Sequence, residues 1–107
     1  MSTTQLLSCI ICILCIFSLS SAQVDTVWVR TYNGPWNGGD HAYAVGFHRS
    51  GGNVYVTGKS AGINNPDMLT IMYDSEGVEQ WVARYAGPND LVDYAEALAV
   101  DDSSNVY

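Results

Sequence analysis

The stretch WVRTYNGPWNGGDHAYA, residues 28–44, returns 53 residues later as WVARYAGPNDLVDYAEA, residues 81–97. Trp28, Val29, Tyr32, Gly34, Pro35, Asp40, Ala42 and Ala44 recur as Trp81, Val82, Tyr85, Gly87, Pro88, Asp93, Ala95 and Ala97. These are eight identities in seventeen positions, where unrelated segments of average composition share roughly one. The copy runs on through Asn53-Val54-Tyr55 against Asn105-Val106-Tyr107 at a spacing of 52, so the turn around Gly51-Gly52 holds one extra residue in the first copy. A unit of this length cannot bury its apolar faces alone, and roughly three or more stacked units are needed for stability. The expectation is a piece of a tandem array, interrupted in mid-repeat.

Working outward, the amino-terminal residues read differently. Leu6 to Leu19 is an apolar run broken only by Ser8 and Ser18, and Ser20-Ser21-Ala22 places small residues where a signal peptidase cuts before Gln23. Residues 1–22 are therefore expected to be a cleaved secretory signal, although Met1 to Gln5 carries no Lys or Arg. This run of fourteen residues falls short of the ~20 that a spanning helix needs, so no stable membrane anchor is expected after cleavage. Cys9, Cys12 and Cys15 all lie in this run and read as apolar filler rather than as a metal site, which would need a polar second shell. Leu6-Leu7-Ser8-Cys9 looks like a lipobox, but almost no apolar segment precedes it. The localisation expected is secreted, extracellular, periplasmic or cell-surface. Without cysteines, the mature chain must be held by packing.

Eleven acidic and four basic residues give a net charge of −7. That sign repels phosphate backbones and anionic membranes, so no nucleic-acid partner is expected.

From Val24 onward, period-two segments alternate with turn residues, and the fold class expected is all-β. Strands are expected over Thr26–Tyr32, Tyr43–His48, Asn53–Gly58, Met68–Asp74 and Val78–Tyr85. In the second of these, Ala44 and Gly46 fall on one face, with Tyr43, Val45 and Phe47 on the other, and the small residues permit close approach of a neighbouring sheet. Asp74-Ser75-Glu76-Gly77 is expected to be a tight turn with Gly77 in the left-handed region. Tyr43 to Tyr85 is then a meander of four antiparallel strands, the anatomy of a β-propeller blade. The divisions are residues 23–41 as a strand and loop, 42–88 as a first blade and 89–107 as the start of a second. The Val27–Tyr32 strand corresponds to the fourth strand of a blade, so it is expected to close the ring by completing the last blade.

Asn53-Val54-Tyr55-Val56-Thr57-Gly58, Tyr73-Asp74-Ser75-Glu76-Gly77 with Trp81-Val82-Ala83-Arg84-Tyr85, and Asp93-Tyr94-Ala95-Glu96-Ala97-Leu98-Ala99-Val100-Asp101 resemble the repeats of the SBBP (seven-bladed β-propeller) family. The resemblance covers Trp28 to Tyr107. It implies a secreted bacterial-type protein of tandem blades, often beside adhesive or sorting modules, and it carries no shared catalytic residues. His48-Arg49, standing where the second copy has Asp101-Asp102, and the compact Asn64-Asn65-Pro66 loop depart from the pattern.

Few residues suggest chemistry. Asp67, Asp74, Glu76, Asp101 and Asp102 are the acidic groupings to weigh for calcium, but Asp74-Ser75-Glu76-Gly77 has half the ligand spacing at best, and turn formation is the reading preferred. Asp40 and Asp93 share one repeat position and are expected to accept backbone N–H bonds in their loops. His41 and His48 do not recur and read as surface residues, with Tyr94 in the place of His41. No G-x-S-x-G elbow or phosphate loop is present, so no catalytic residue, cofactor or metal is expected here. Trp28 and Trp81 recur, as packing residues do. Trp36 does not, and its indole in a Gly-Asn loop is the one candidate for ligand contact, with an extracellular protein or a carbohydrate as partner. The reading is a binding or scaffold module. The alternatives are the amino-terminal part of a propeller enzyme (lyase, hydrolase or quinone dehydrogenase type) and a short adhesive module that oligomerises.

Overall fold

The computed structural model describes residues 26–107, and the signal expected over residues 1–22 lies outside the described residues. Four strands, β1 (Asp40–Phe47), β2 (Val54–Ser60), β3 (Asp67–Tyr73) and β4 (Glu79–Tyr85), form one antiparallel sheet in the order β1-β2-β3-β4. The chain is all-β, and each strand pairs with the next through a short connection.

The turns follow from their side chains. Asp74 Oδ1 accepts the amides of Glu76 and Val78, and Gly77 takes φ +77° with its N–H on the Asp74 carbonyl. A Cβ at Gly77 would lie 2.6 Å from Trp28 Cδ2, so the position requires glycine twice over.

Register divides the sheet into two faces. Ser60↔Asp67, Gly58↔Leu69, Val56↔Ile71 and Val54↔Tyr73 share one face, which Val82 and Arg84 of β4 continue. Tyr55, Thr57, Thr70, Met72 and Trp81 share the other. Leu69, Ile71 and Tyr73 are buried on the first face beneath Trp28 and Tyr32, which come from residues ahead of β1. On the second face Tyr55, 1% exposed, packs on Trp81 at 6.0 Å between centroids, and its hydroxyl donates to the Ser104 carbonyl. The sheet is thus a middle layer, with Trp28 and Tyr32 on one face and the second copy's Ser104 region on the other.

Thr26–Tyr32 differs from the expected strand. It belongs to no ladder among the described residues and is held by its side chains. The Trp28 indole N–H donates to the Ser75 carbonyl at 3.2 Å, the Arg30 guanidinium donates to the Gly77 carbonyl, and the Trp28 and Tyr73 rings lie 5.8 Å apart. Lying on a sheet face, the segment reaches no strand edge that could pair with it.

A second difference is a bulge in β1. Register slips between Ala42 and Ala44, so Ala42 opposes Gly58 and Ala44 opposes Thr57. Tyr43 is the extra residue, and it meets Lys59 and Tyr94 rather than sharing the face of Val45 and Phe47. Gly46 does permit the close approach expected of it, since a Cβ there would fall 2.1 Å from Leu98 Cδ1.

The second copy repeats the first in three dimensions. Ala99 and Tyr107 exchange both backbone hydrogen bonds, and Val100 bridges Val106. These are the counterparts of Gly46↔Tyr55 and Phe47↔Val54 in the first hairpin.

Candidate interaction surface

The linker that enters each hairpin is braced the same way in both copies. The Gly34 amide donates to Asp40 Oδ2 at 3.0 Å and the Gly87 amide to Asp93 Oδ2 at 2.6 Å. Asn37 and its counterpart Asp90 both sit in the left-handed region, at φ 49° and 48°. In the first linker the Asn37 N–H closes a turn on the Gly34 carbonyl, and the Asn33 side-chain amide donates to Asn37 Oδ1. This turn presents Trp36 at 45% exposure.

Trp36 is not a lone projecting ring. The Arg84 guanidinium lies over it, with Cζ 5.0 Å from the ring centroid. Arg84 in turn donates to Asp67 Oδ2 at 2.9 Å, to the Ala61 carbonyl at 3.1 Å and to Ser60 Oγ at 2.6 Å. Ser60 is fully buried and Asp67 is 7% exposed. Asp67, one of the acidic residues weighed for calcium, is therefore committed to a cation already present in the protein.

Asp40 joins the same cluster. Its Oδ1 is buried with no hydrogen bond of its own, but Ser60 Oγ, which accepts from Arg84, keeps a rotatable proton that can turn toward it. Burial pushes the Asp40 carboxyl up, while the Ser60 hydroxyl, the Gly34 amide and Arg84 more than offset this and hold it below its ordinary value. The arrangement is a closed polar seam between linker, β2 and β4, capped by an aromatic ring.

The other acidic candidates make turns. Asp101 repeats the arrangement of Asp74, accepting the amides of Ser103 and Asn105 on Oδ1, and hydrogen bonds headed by the Asn105 side chain lower its carboxyl. Glu76 and Asp102 are exposed. Among the described residues no three His, Cys, Asp or Glu side chains converge as a metal site requires. His48 Nε2 lies 3.0 Å from the Asp102 carbonyl, a contact between the two copies, and His41 stacks beside Tyr43 at 6.4 Å.

A cleft of about 270 Å³ lies between the Trp28–Tyr32 segment and the β1–β2 hairpin, with Trp28, Tyr32, Asp40, Val56 and Tyr73 in its walls. Trp36 stands outside it. Beside the cleft, Val45 and Phe47 are 68% and 57% exposed. Arg30, His41, Thr57 and Lys59 also line the cleft.

The Arg84 seam is the feature that sequence reasoning missed. Its signal was parity: Arg84 shares a face with Val82 in an alternating strand, and an inward guanidinium demands a carboxylate partner.

Compared with family models, with curated proteins and with solved structures, the chain matches none.

Proposed function

We propose that this chain is part of a secreted β-propeller of the SBBP type, built from tandem four-stranded blades and acting as a binding or scaffold module without catalysis in this stretch. The observation that carries the reading is the recurrence, at the repeat spacing, of both the Gly–Asp linker brace and the hairpin register. A sheet covered on both faces by parts of adjoining repeats is what face-to-face blades require. The Val27–Tyr32 segment fits the outer strand of a preceding blade, since its side chains already cover β3 while its backbone remains available to a ladder.

In such an assembly the linkers present a broad surface of loops, and Trp36 stands on one of them. An indole with one face on Arg84 and nearly half its area exposed suits an extracellular protein or a carbohydrate. The charge of −7 disfavours nucleic acid and anionic membranes.

Intact mass and amino-terminal sequencing of the secreted product test the reading. A product beginning at Gln23 with a mass of roughly 30 to 45 kDa, as six to eight blades of about 45 to 50 residues give, is expected. A product of roughly 9 kDa would overturn the tandem-blade reading in favour of a short module that oligomerises.

A further inference from the structure

Trp28 and Trp81 hold the same repeat position, and the structure shows what that position does. Trp28 lies across the third strand and following turn of the next sheet: its ring packs on Tyr73, its N–H donates to the Ser75 carbonyl, and it leaves no room for a Cβ at Gly77. Trp81 lies on the face of β4 that looks toward the second copy, touching Tyr55 behind it while 37% of its area stays exposed. Tyr85, one repeat after Tyr32, is 53% exposed.

The step from one copy to the next shares its two ends in both places. Each linker carries the Gly–Asp brace and a left-handed residue at the same position, and each leads into a hairpin of the same register. The linkers differ at their tips, where Asn89 has φ 72° and its counterpart Trp36 is not left-handed, but the shared brace and shared hairpin register place Trp81 relative to the Ala99–Tyr107 hairpin much as Trp28 is placed relative to the β1–β2 hairpin. The site that Trp81 faces is the place of a third strand beside Tyr107.

We infer that Trp81, with Tyr85, is the docking knob for a further sheet of the same polypeptide, and that it seats on that sheet's third strand and glycine turn. The occupant is specified by chemistry: an aromatic residue in the place of Tyr73, a carbonyl open to the indole N–H in the place of Ser75, and a glycine of positive φ in the place of Gly77. Tyr85 then covers branched apolar residues, as Tyr32 joins Trp28 over Leu69 and Ile71. The inference rests on the tandem-blade reading and adds to it a named anchor and the motif that receives it.

Hydroxyl-radical footprinting of the natural secreted protein, read by mass spectrometry at each tryptophan, tests it. Trp81 is expected to be protected to the extent of Trp28, with Trp36 oxidised well ahead of both. In a product whose mass shows several repeats, oxidation of Trp81 as fast as Trp36 would overturn the docking while leaving the tandem reading intact; a mass of a single short chain would remove that reading itself. Trp81→Phe is expected to keep the sheet resistant to protease and Trp81→Ala to open it, and equal resistance of the two to wild type would also count against the docking. If Trp81→Ala fails to fold, the wild-type footprint still decides.

Discussion

The Gly34 amide and the Asp40 carboxylate are joined at 3.0 Å across a linker that carries Trp36 at its tip. The brace fixes where β1 begins, and its counterpart at Gly87 and Asp93 fixes the second hairpin. Asp40→Ala is expected to destabilise the protein by about 2 kcal/mol, since a hydrogen bond to a charged acceptor contributes about 1.5–3 kcal/mol. Asp40→Asn, which keeps an acceptor oxygen, should recover part of the loss. Urea denaturation of the three proteins checks the order.

Asp40 also gives the acid limb a sign. Its carboxyl is held below its ordinary value in the folded protein, so its contribution is present above the unfolded value of 3.8 and is lost as pH falls through the folded value. The stability gap between wild type and Asp40→Asn should therefore narrow as pH drops from about 5 to about 3. A gap that widens over that range would contradict the assignment.

Arg84 and Asp67 form an ion pair at 2.9 Å, with side chains 21% and 10% exposed. Removing one partner leaves a poorly solvated charge, and Asp67→Ala is expected to cost about 3 kcal/mol. Arg84→Lys should cost nearly as much, because a lysine cannot reach Asp67, Ser60 and the Ala61 carbonyl with one planar group. Chemical denaturation at low and high salt checks this, and the half-buried pair should change little with salt.

Gly77→Ala combines two penalties, a left-handed φ worth about 1–2 kcal/mol and a Cβ inside the Trp28 ring. The expected loss is about 2 kcal/mol or more, with Trp28 displaced from Tyr73. A red shift of tryptophan emission in Gly77→Ala, absent when Trp28 is already Ala, would report that displacement.

Trp36→Ala should cost little stability, about 0.5–1 kcal/mol for the exposed stacking on Arg84. If this linker contacts a ligand, retention of the secreted protein on a carbohydrate matrix or protein partner falls while its melting curve barely moves. A large loss of stability instead would make Trp36 a packing residue.

The parts of the fold legible in the sequence are those with local causes. Alternation placed β2, β3 and β4 to within a few residues, and the Asp74 and Gly77 turn followed from side-chain geometry. The repeat itself announced that Asp40 and Asp93 would play one role. What escaped had nonlocal causes. The bulge at Tyr43 depends on how β1 meets Gly58, whose missing side chain admits the His41 carbonyl. The lack of a ladder at Thr26–Tyr32 follows from where its side chains dock, on the sheet face over β3 rather than beside an edge strand, although its alternation is that of a strand. The joining of Arg84 to Asp67 and Ser60 spans three strands, and pattern alone does not show that convergence.

The linker brace has one more consequence. It ties the entry of each hairpin to the start of its own linker, through one amide and one carboxylate. A rotation applied head to tail either returns to its start after a whole number of steps or winds away as an open spiral. If the proposed ring forms, the span from Gly34 to Asp40 is one of the places where the step between its sheets is set.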